Sequence, residues 1–372
     1  MAMSFMDGNE AIAHASIEAG CRFFAGYPIT PATTIYQHML TLLPAYGGIC
    51  LQGEDEIASI GFCLGASMAG FKALTATSGP GISLYSEQIS FAIGGEIPLV
   101  IVDVQRLGPS TGSATKGADG DIQFLRWGNS GGLPVIVLAP VDVRDCYSLT
   151  LQAFNLSEEF RCPVFIASNK EIAMTRESID MDSLERVKPV IRKQGSQDSP
   201  YSPFQVSNQS LTPPFLPIGG KQLVRQTSST HGPDGYITVD TELIRCSITR
   251  MHKKLTDAVD QFSLYEIDLG NNAEILLITY GVTSRSARTA VQQIRSAGTN
   301  ISLLVLKTLY PVPEECIKHY IDMVKTIVVV EMNHGLYVRE IERLARTQRI
   351  IQYGQMDGEL LSPKAIKDVV GI

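Results

Sequence analysis

Short apolar runs alternate with helical patterns through the first half of the chain. Runs rich in Val, Ile, Phe and Ala predict buried strands at 22–27, 73–77, 99–104, 135–138 and 164–168. Between them, apolar residues recur at helical spacing and predict helices at 32–43, 57–70, 82–93 and 141–156. Because strands and helices alternate, this pattern predicts an α/β fold with a mostly parallel sheet.

The pattern stops near residue 181 and returns at 274. Turn-forming residues fill the gap, which predicts an irregular connecting segment. Strands are then predicted at 275–280, 301–306 and 327–331, and helices at 282–296, 313–324 and 338–347. We therefore expect a first α/β domain at 1–185, the connecting segment at 186–262 and a smaller C-terminal α/β domain at 263–372.

Composition excludes several classes of protein. The 372 residues are 44% hydrophobic and 19% charged, with a net charge of −7, and no basic cluster predicts nucleic-acid binding. The longest apolar stretch, 57–71, is too short to span a membrane, and the N-terminus lacks a signal-peptide pattern. We expect this stretch to be a buried helix in which Gly61, Gly65 and Ala69 allow close packing.

The cysteines and histidines give no metal-binding pattern. Seven cysteines occur, and no two lie within three residues of each other. This spacing excludes a local zinc or iron–sulfur motif and predicts reduced thiols in the cytoplasm. The six histidines are scattered without metal-ligand spacing. We therefore expect no metal site on this chain.

A turn with two prolines, Tyr27-Pro28-Ile29-Thr30-Pro31, follows the first predicted strand. It lies at the carboxyl end of that strand, where open α/β sheets bind ligands. The Thr30 hydroxyl and the amides that follow Pro31 could bind a carboxylate. The alternative is that Thr30 only caps the next helix.

An acidic cluster, Glu54-Asp55-Glu56, precedes the run of small residues that begins at 57. The helix dipole alone explains two of these acids. Glu56 differs because the residues after it are small or apolar, so its carboxylate would be desolvated and would need a partner that shares a proton. A ring nitrogen of thiamine diphosphate is such a partner, and sharing the proton would activate the cofactor.

Two further loops follow predicted strands. Thr77-Ser78-Gly79-Pro80-Gly81 would let the backbone approach a planar ligand, unless it is a plain strand-to-helix turn. Arg106-Leu107-Gly108-Pro109-Ser110-Thr111-Gly112 could place the Arg106 guanidinium over a substrate carboxylate, although most single arginines are solvated. The segment 116–121 after it is expected to be a mobile loop without a chemical role.

These four segments resemble, in composition and in order, the alpha subunit of the 2-oxoacid:ferredoxin oxidoreductases. The likeness covers most of 5–175 and resumes at 274–340. Lys307-Thr308-Leu309-Tyr310-Pro311 and Val329-Val330-Glu331-Met332-Asn333 are similar to the second domain of that family. Ser229-Thr230-His231-Gly232-Pro233-Asp234-Gly235 departs from the Thr-His-Asp-Glu-x-Gly stretch of relatives.

The resemblance implies a thiamine-diphosphate-enzyme domain of the pyrimidine type, followed by a domain like the C-terminal domain of transketolase. It also implies an oxidative decarboxylation, in which a 2-oxoacid and coenzyme A give an acyl-CoA, carbon dioxide and reduced ferredoxin. Glu56 would activate the cofactor, and Thr30 and Arg106 would contact the substrate carboxylate. The residues that bind the cofactor would be Tyr27, Pro28, Ile29, Glu56, Ser78, Gly79, Pro80 and Gly81.

The diphosphate half of the cofactor site is not recognisable in this sequence. Thiamine enzymes bind Mg²⁺ and the diphosphate with a Gly-Asp-Gly segment followed by Asn, and the nearest candidate, Asp119-Gly120-Asp121, lacks both features. The resemblance implies that a separate beta subunit supplies this half, with Mg²⁺ and an iron–sulfur cluster on partner subunits. It also implies a gamma subunit and is compatible with a small ferredoxin-like delta subunit.

Several alternatives stay open at this point. The likeness favours 2-oxoglutarate as the substrate over branched-chain 2-oxoacids and pyruvate, but no single residue decides the choice. A transketolase-like or acetolactate-type enzyme shares the glutamate and the Ser-Gly-Pro-Gly feature, although it normally has its own diphosphate motif. The third alternative is a non-catalytic binding or scaffold subunit of another thiamine enzyme.

Overall fold

The computed structural model describes residues 3–184, 187–197, 200–207 and 210–371. The strands of the first half are β1 (Met3–Asp7), β2 (Cys21–Gly26), β3 (Ile49–Gln52), β4 (Lys72–Thr77), β5 (Leu99–Gln105), β6 (Ile136–Leu138), β7 (Pro163–Asn169) and β8 (Arg176–Asp180). Those of the second half are β9 (Tyr265–Asp268), β10 (Ile275–Tyr280), β11 (Ile301–Leu306), β12 (Thr308–Tyr310), β13 (Thr326–Glu331) and β14 (Arg349–Gly354).

Helices connect most of these strands. The α-helices of the first half are α1 (Gly8–Glu18), α2 (Thr33–Leu42), α3 (Glu56–Met68), α4 (Pro80–Leu84), α5 (Ser86–Gly94), α6 (Ile122–Trp127), α7 (Val143–Phe160) and α8 (Lys170–Met174). They are followed by α9 (Thr241–Thr256), α10 (Thr283–Ser296), α11 (Glu314–Ile321), α12 (Val338–Leu344) and α13 (Pro363–Val370). Short 3-10 helices lie at Leu43–Tyr46, Met181–Ser183 and Val259–Gln261.

Two large sheets organise the chain. The first has seven strands in the order β12-β6-β7-β5-β4-β2-β3, and the second has five in the order β14-β13-β10-β11-β9. Every neighbouring pair is parallel except β12–β6 in the first sheet and β11–β9 in the second. The predicted mostly parallel α/β fold is therefore confirmed.

Helices cover both faces of the first sheet. Along β5, Val100, Val102 and Val104 belong to the core that includes side chains of α1 and α7, whereas Leu99 and Ile101 belong to the core that includes α3 and α5. All seven residues of β5 are consequently buried, which explains its continuous apolar sequence. Asp103 is the one acidic residue within this strand.

The connecting segment departs from its predicted irregular structure. The expectation for 186–262 is wrong at α9, a helix of 16 residues. Arg250 and Lys254 on α9 form ion pairs with the buried carboxylate of Glu96, at 2.5 and 2.7 Å. Because Glu96 is far away in the sequence, the interaction that anchors this polar helix could not be recognised from local periodicity.

Two other expectations about helices need correction. The helix predicted at 82–93 is two helices, α4 and α5, which meet at Tyr85. The stretch 57–71 is not fully buried, because Phe62 on α3 is 47% exposed. A Cβ at Gly65 would meet no atom within 4 Å, so this small residue does not pack against another helix of the chain. Within the described ranges, none of the helices has the length and apolar character needed to cross a bilayer.

Candidate active site

Three loops of the first sheet meet at one edge. β2, β4 and β5 are adjacent and parallel, so the turns that follow them, at 27–31, 77–81 and 106–112, lie side by side. The N-terminus of α3 joins this edge, because Gly53 donates its backbone N–H to the Gly26 carbonyl oxygen over 3.1 Å. The structure thus brings all four sequence motifs to one place.

Glu56 lies in the first turn of α3 at this edge. The helix is capped by Asp55, whose carboxylate accepts a hydrogen bond from the Ala58 N–H at 2.7 Å. Glu56 is therefore not needed as a cap, and its residue is only 7% exposed. No described residue donates a hydrogen bond to its carboxylate. A nearly buried carboxylate without a donor is unfavourable by itself, so this position suits a ligand that shares a proton with it.

Two glycines keep the space beside Glu56 open. Gly79 has a φ of +43°, in the region that favours glycine. A Cβ at Gly81 would lie 1.9 Å from Thr77 Oγ1 and 3.0 Å from Glu56 Oε1. No side chain fits at position 81, so the backbone of this turn packs directly against Thr77 and the Glu56 carboxylate.

Hydroxyl groups surround this space. The hydroxyls of Thr75 and Tyr85 are hydrogen-bonded to each other at 2.8 Å and are buried. Burial raises the pKa of Tyr85 above its ordinary value, so this phenol stays neutral. Thr77 Oγ1 and Ser78 Oγ are buried and have no hydrogen-bond partner in the described part of the chain. Unpaired hydroxyls of this kind are uncommon in protein interiors, and their presence favours a polar ligand at this site.

Arg106 reaches from the end of β5 to the Tyr27–Pro31 turn. Its Nη1 donates a hydrogen bond to the Thr30 carbonyl oxygen at 2.5 Å. Arg106 is 6% exposed, and its Nε has no partner among the residues that the structure describes. Thr30, in contrast, is exposed. The structure therefore brings together the two residues that the sequence suggested as carboxylate ligands, and Arg106 is not a solvated surface arginine.

The alternative role of Thr30 as a helix cap does not hold. Ala32 is at the N-cap position of α2 and makes no side-chain capping bond, and the Thr30–Pro31 peptide is cis. Asn9 holds the turn instead, because its Nδ2 donates to the Pro31 carbonyl oxygen at 2.8 Å. Sequence reasoning missed Asn9, because α1 contains several polar residues and nothing local marks Asn9 as a completely buried one that contacts the distant turn.

The segment 116–121 is held in place by both halves of the chain, so the expected mobile loop is wrong. The Lys116 carbonyl oxygen accepts the Leu107 N–H at 2.8 Å, and the Asp119 N–H donates to the Met332 carbonyl oxygen at 2.9 Å. Asn333 Nδ2 donates to the Asp119 carbonyl oxygen at 2.9 Å. The 329–333 segment therefore supports the loop that follows Arg106.

One group of side chains has the geometry of an ion site. Among the described residues, Asp7, Glu10 and His38 place ligand atoms within 4.8 Å of one another. Sequence spacing gave no sign of this group because His38 is distant from the two acids in the chain. Arg176 already lies 3.9 Å from Asp7 and 3.5 Å from Glu10, and partly neutralises their charge.

The residues at the sheet edge fit the aminopyrimidine half of thiamine diphosphate. No described residue donates a hydrogen bond to the Glu56 carboxylate, and the hydroxyls of Thr77 and Ser78 have no partner. Together with the glycine backbone at 79 and 81, these groups match a flat ring with several hydrogen-bonding nitrogens. Among the other residues predicted to bind the cofactor, Tyr27 is 40% exposed, and Pro28, Ile29 and Pro80 are half-buried. The Tyr27–Pro31 turn is thus accessible to solvent beside Glu56.

Comparison with known proteins decides the family. Residues 14–248 match the family described as pyruvate flavodoxin/ferredoxin oxidoreductase, thiamine diphosphate-binding, and this match covers more than half of the chain. The chain belongs to the 2-oxoacid:ferredoxin oxidoreductases. Residues 273–366 of this oxidoreductase chain match core domain II of pyruvate:ferredoxin oxidoreductase.

Relatives of similar length identify it as an alpha-type subunit of that family. It is 39% identical to the 2-oxoglutarate synthase subunit KorA of Methanocaldococcus jannaschii, over 100% of both chains. It is 30% identical to the ketoisovalerate oxidoreductase subunit VorB of Methanothermobacter thermautotrophicus, over 100% of this chain and 97% of the relative.

Solved structures agree with this assignment of the alpha subunit. The 2-oxoglutarate:ferredoxin oxidoreductase from Magnetococcus marinus, solved with 2-oxoglutarate, coenzyme A and succinyl-CoA bound, matches with a TM-score of 0.92 and 32% identity. The match covers 99% of this chain and 65% of that chain. A split-gene transketolase in an inactive tetramer has a TM-score of 0.56 at 12% identity, which shows a shared fold alone. The expected thiamine-enzyme fold class is confirmed.

Proposed function

We propose that this chain is the alpha subunit of a 2-oxoglutarate:ferredoxin oxidoreductase. The complex converts a 2-oxoacid, coenzyme A and oxidised ferredoxin into an acyl-CoA, carbon dioxide and reduced ferredoxin. The observation that carries this proposal is the position of Glu56, nearly buried and without a donor beside the open backbone at Gly81, with Thr30 and Arg106 on the same edge.

Each residue has a defined task in this proposal. Thiamine diphosphate, when bound, supplies a nucleophilic carbon and an electron sink. The Glu56 carboxylate holds a proton at a ring nitrogen of the aminopyrimidine, which its low exposure favours. Arg106 and Thr30 bind and orient the substrate carboxylate, so that the ketone carbon is held next to the cofactor. The residues that enclose the ring are Tyr27, Pro28, Ile29, Ser78, Gly79, Pro80 and Gly81.

A beta subunit completes the site in this proposal. Apolar side chains on the neighbouring helices α3 and α4 are exposed in the isolated chain, with Ile57 at 48%, Phe62 at 47% and Leu84 at 46%. Exposed apolar side chains on adjoining elements favour a protein interface there. The beta subunit would bring the diphosphate-binding half and Mg²⁺, and an iron–sulfur cluster would lie on a partner subunit. A gamma subunit and a ferredoxin-like delta subunit would complete the complex.

The same reasoning extends to domain division and location. We propose a pyrimidine-type domain at 1–185, a connecting segment at 186–262 and a C-terminal domain at 263–372, with β12 crossing to pair with β6 of the first sheet. We also propose a cytoplasmic location, because all seven cysteines are unpaired.

Substrate choice rests on the relatives. The full-length matches to KorA subunits are more similar to this chain than the VorB matches are, at 39% against 30% identity. This difference favours 2-oxoglutarate, and branched-chain 2-oxoacids and pyruvate are the alternatives. The test is acceptor-dependent oxidation by the reconstituted complex with 2-oxoglutarate, 2-oxoisovalerate or pyruvate, each with and without coenzyme A. A preference for 2-oxoglutarate supports the proposal, and a preference for 2-oxoisovalerate or pyruvate refutes the substrate assignment.

Arg106→Ala tests the site in the same assay. Loss of the guanidinium is expected to raise the KM for the 2-oxoacid, because a charged hydrogen bond to the substrate carboxylate is removed. An unchanged KM would refute the proposed role of Arg106.

A further inference from the structure

A pair of facing carboxyl groups lies behind Arg106. Asp103, near the end of β5, is completely buried and is paired in register with Thr77 of β4. No basic, amide or hydroxyl side chain of the described residues donates a hydrogen bond to either of its carboxyl oxygens. The Asp121 carboxyl faces it, and one oxygen of Asp121 is also buried without a donor.

Two facing carboxylates cannot both be ionised in a dry interior. Charged groups in a medium of low dielectric constant repel strongly, and the pair avoids this by keeping one proton between the two groups. Burial and the facing Asp121 raise the pKa of Asp103 well above its usual range. Burial raises the pKa of Asp121 to about 6, although hydrogen bonding to Asp103 and the charge of Arg106 lower it. The pair therefore titrates as a unit and holds one proton near neutral pH.

The charged groups around the pair are few. Arg106, from the loop after β5, faces Asp121, and Asp119 faces both members from the 116–121 segment. Burial raises the pKa of Asp119 to about 7, and the negative charges of Glu331 and Asp121 act in the same direction. Asp119 has its own partner, because its Oδ1 accepts the Asn169 Nδ2–H at 3.0 Å. The backbone amide of Gly79 approaches Asp103 from the loop beside Glu56.

We propose that Asp103 and Asp121 share one proton and act as positioning residues for the Arg106 guanidinium. This inference rests on the proposed function of Arg106. With one shared proton, the pair carries a single negative charge that balances Arg106 and leaves its N–H groups available to the substrate. Loss of that proton adds a second negative charge behind the guanidinium. This charge draws Arg106 away from Thr30 and repels an anionic substrate.

The predicted consequence is a pH-dependent affinity for the 2-oxoacid. In the wild-type complex, the KM should rise by about tenfold with increasing pH as the pair loses its last proton, while kcat changes little. Asp121→Asn should remove this rise, because the amide donates a fixed hydrogen bond to the Asp103 carboxylate and leaves one constant charge. Asp119→Asn is the matched control, since it removes a neighbouring buried carboxyl but leaves both members of the pair in place. Its KM should still rise with pH, with the midpoint moved to lower pH because the Asp119 charge no longer disfavours ionisation of Asp103.

A second measurement reports the proton itself. Infrared spectroscopy of the assembled complex at neutral pH should show bands of protonated, buried carboxyl groups; Asp121→Asn should remove the contribution of the pair, whereas Asp119→Asn should remove only that of Asp119 itself. If Asp121→Asn does not assemble, Asp103→Asn replaces it, because its amide donates to Asp121 in the same way.

The outcomes separate this proposal from the proposed function. If Arg106→Ala raises the KM but Asp121→Asn keeps the wild-type pH profile, Arg106 binds substrate and the positioning role is wrong. If Arg106→Ala leaves the KM unchanged, Arg106 does not bind the substrate, and the positioning role that rests on it is wrong as well. A flat KM profile in the wild-type complex, or an Asp121→Asn spectrum that keeps every protonated-carboxyl band of the wild-type complex, also overturns the shared-proton pair.

Discussion

Adding one methyl group at Gly81 should disable the site without unfolding the protein. In Gly81→Ala the new Cβ would lie 1.9 Å from Thr77 Oγ1 and 3.0 Å from Glu56 Oε1, so at least one neighbour must move. Thr77 is completely buried on a central strand, whereas Glu56 is on a helix terminus. Moving Glu56 alone would not relieve the contact with Thr77, so we expect the 78–81 turn to shift by about 1 Å relative to Thr77 and Glu56, and the overpacking to cost about 1–3 kcal/mol of stability.

A displacement of this size has a large effect on catalysis. Misplacing a catalytic group by about 1 Å costs on the order of 100-fold in rate, so kcat of the reconstituted complex should fall by about that factor. The methyl group also occupies the path of the cofactor ring, and the Kd for thiamine diphosphate, measured by calorimetry, should rise. Gly220→Ala is the control, because the nearest atom to its Cβ is a carbonyl oxygen at 3.5 Å. Wild-type kcat and cofactor affinity in Gly81→Ala would refute the proposed position of the ring.

Two further predictions concern assembly and stability. Phe62→Glu should leave the isolated chain folded, because Phe62 is 47% exposed, but it should abolish co-purification with the beta subunit. The control is Leu223→Glu, and equal assembly of the two variants with the beta subunit would argue against this interface. Glu96→Gln should destabilise the chain to urea by about 3–5 kcal/mol, because Lys254 and Arg250 lose their buried partner. Burial alone would raise the pKa of Glu96, but the charges and hydrogen bonds of Lys254 and Arg250 outweigh burial and lower this pKa to about 2. Its stabilisation is therefore complete above about pH 4.3 and is lost as the pH falls towards 2; a mutant with the wild-type acid profile would contradict this role.

Local sequence patterns were sufficient to predict the bounds of elements that are buried through their own apolar residues. The strands predicted at 275–280 and 301–306 have those bounds in the structure, as β10 and β11. β12 was not predicted, because three residues carry too little periodicity and the strand exists through pairing with distant β6. α9 was missed for a similar reason, since distant Glu96 provides the charge that anchors it.

The motifs located the candidate site, but its supporting residues were harder to find. Glu56, Gly81 and Arg106 follow strand ends, and a parallel sheet brings such positions together. Asp103 was overlooked within a strand that was assigned from its apolar neighbours. An acidic residue inside a fully buried parallel strand is a usable signal, because burial without a partner is costly. The facing Asp121 could not be inferred, since it depends on how the 116–121 segment folds back.

Deuterium exchange at the C2 position of the bound thiazolium ring tests the role of Glu56 most directly. In the reconstituted complex of Glu56→Gln, the amide cannot hold a proton at the ring nitrogen as a carboxylate does. The exchange rate, followed by NMR after acid quench, should fall by about 10²–10⁴-fold while cofactor and beta subunit remain bound. An exchange rate close to that of the wild-type complex would show that Glu56 does not activate the cofactor.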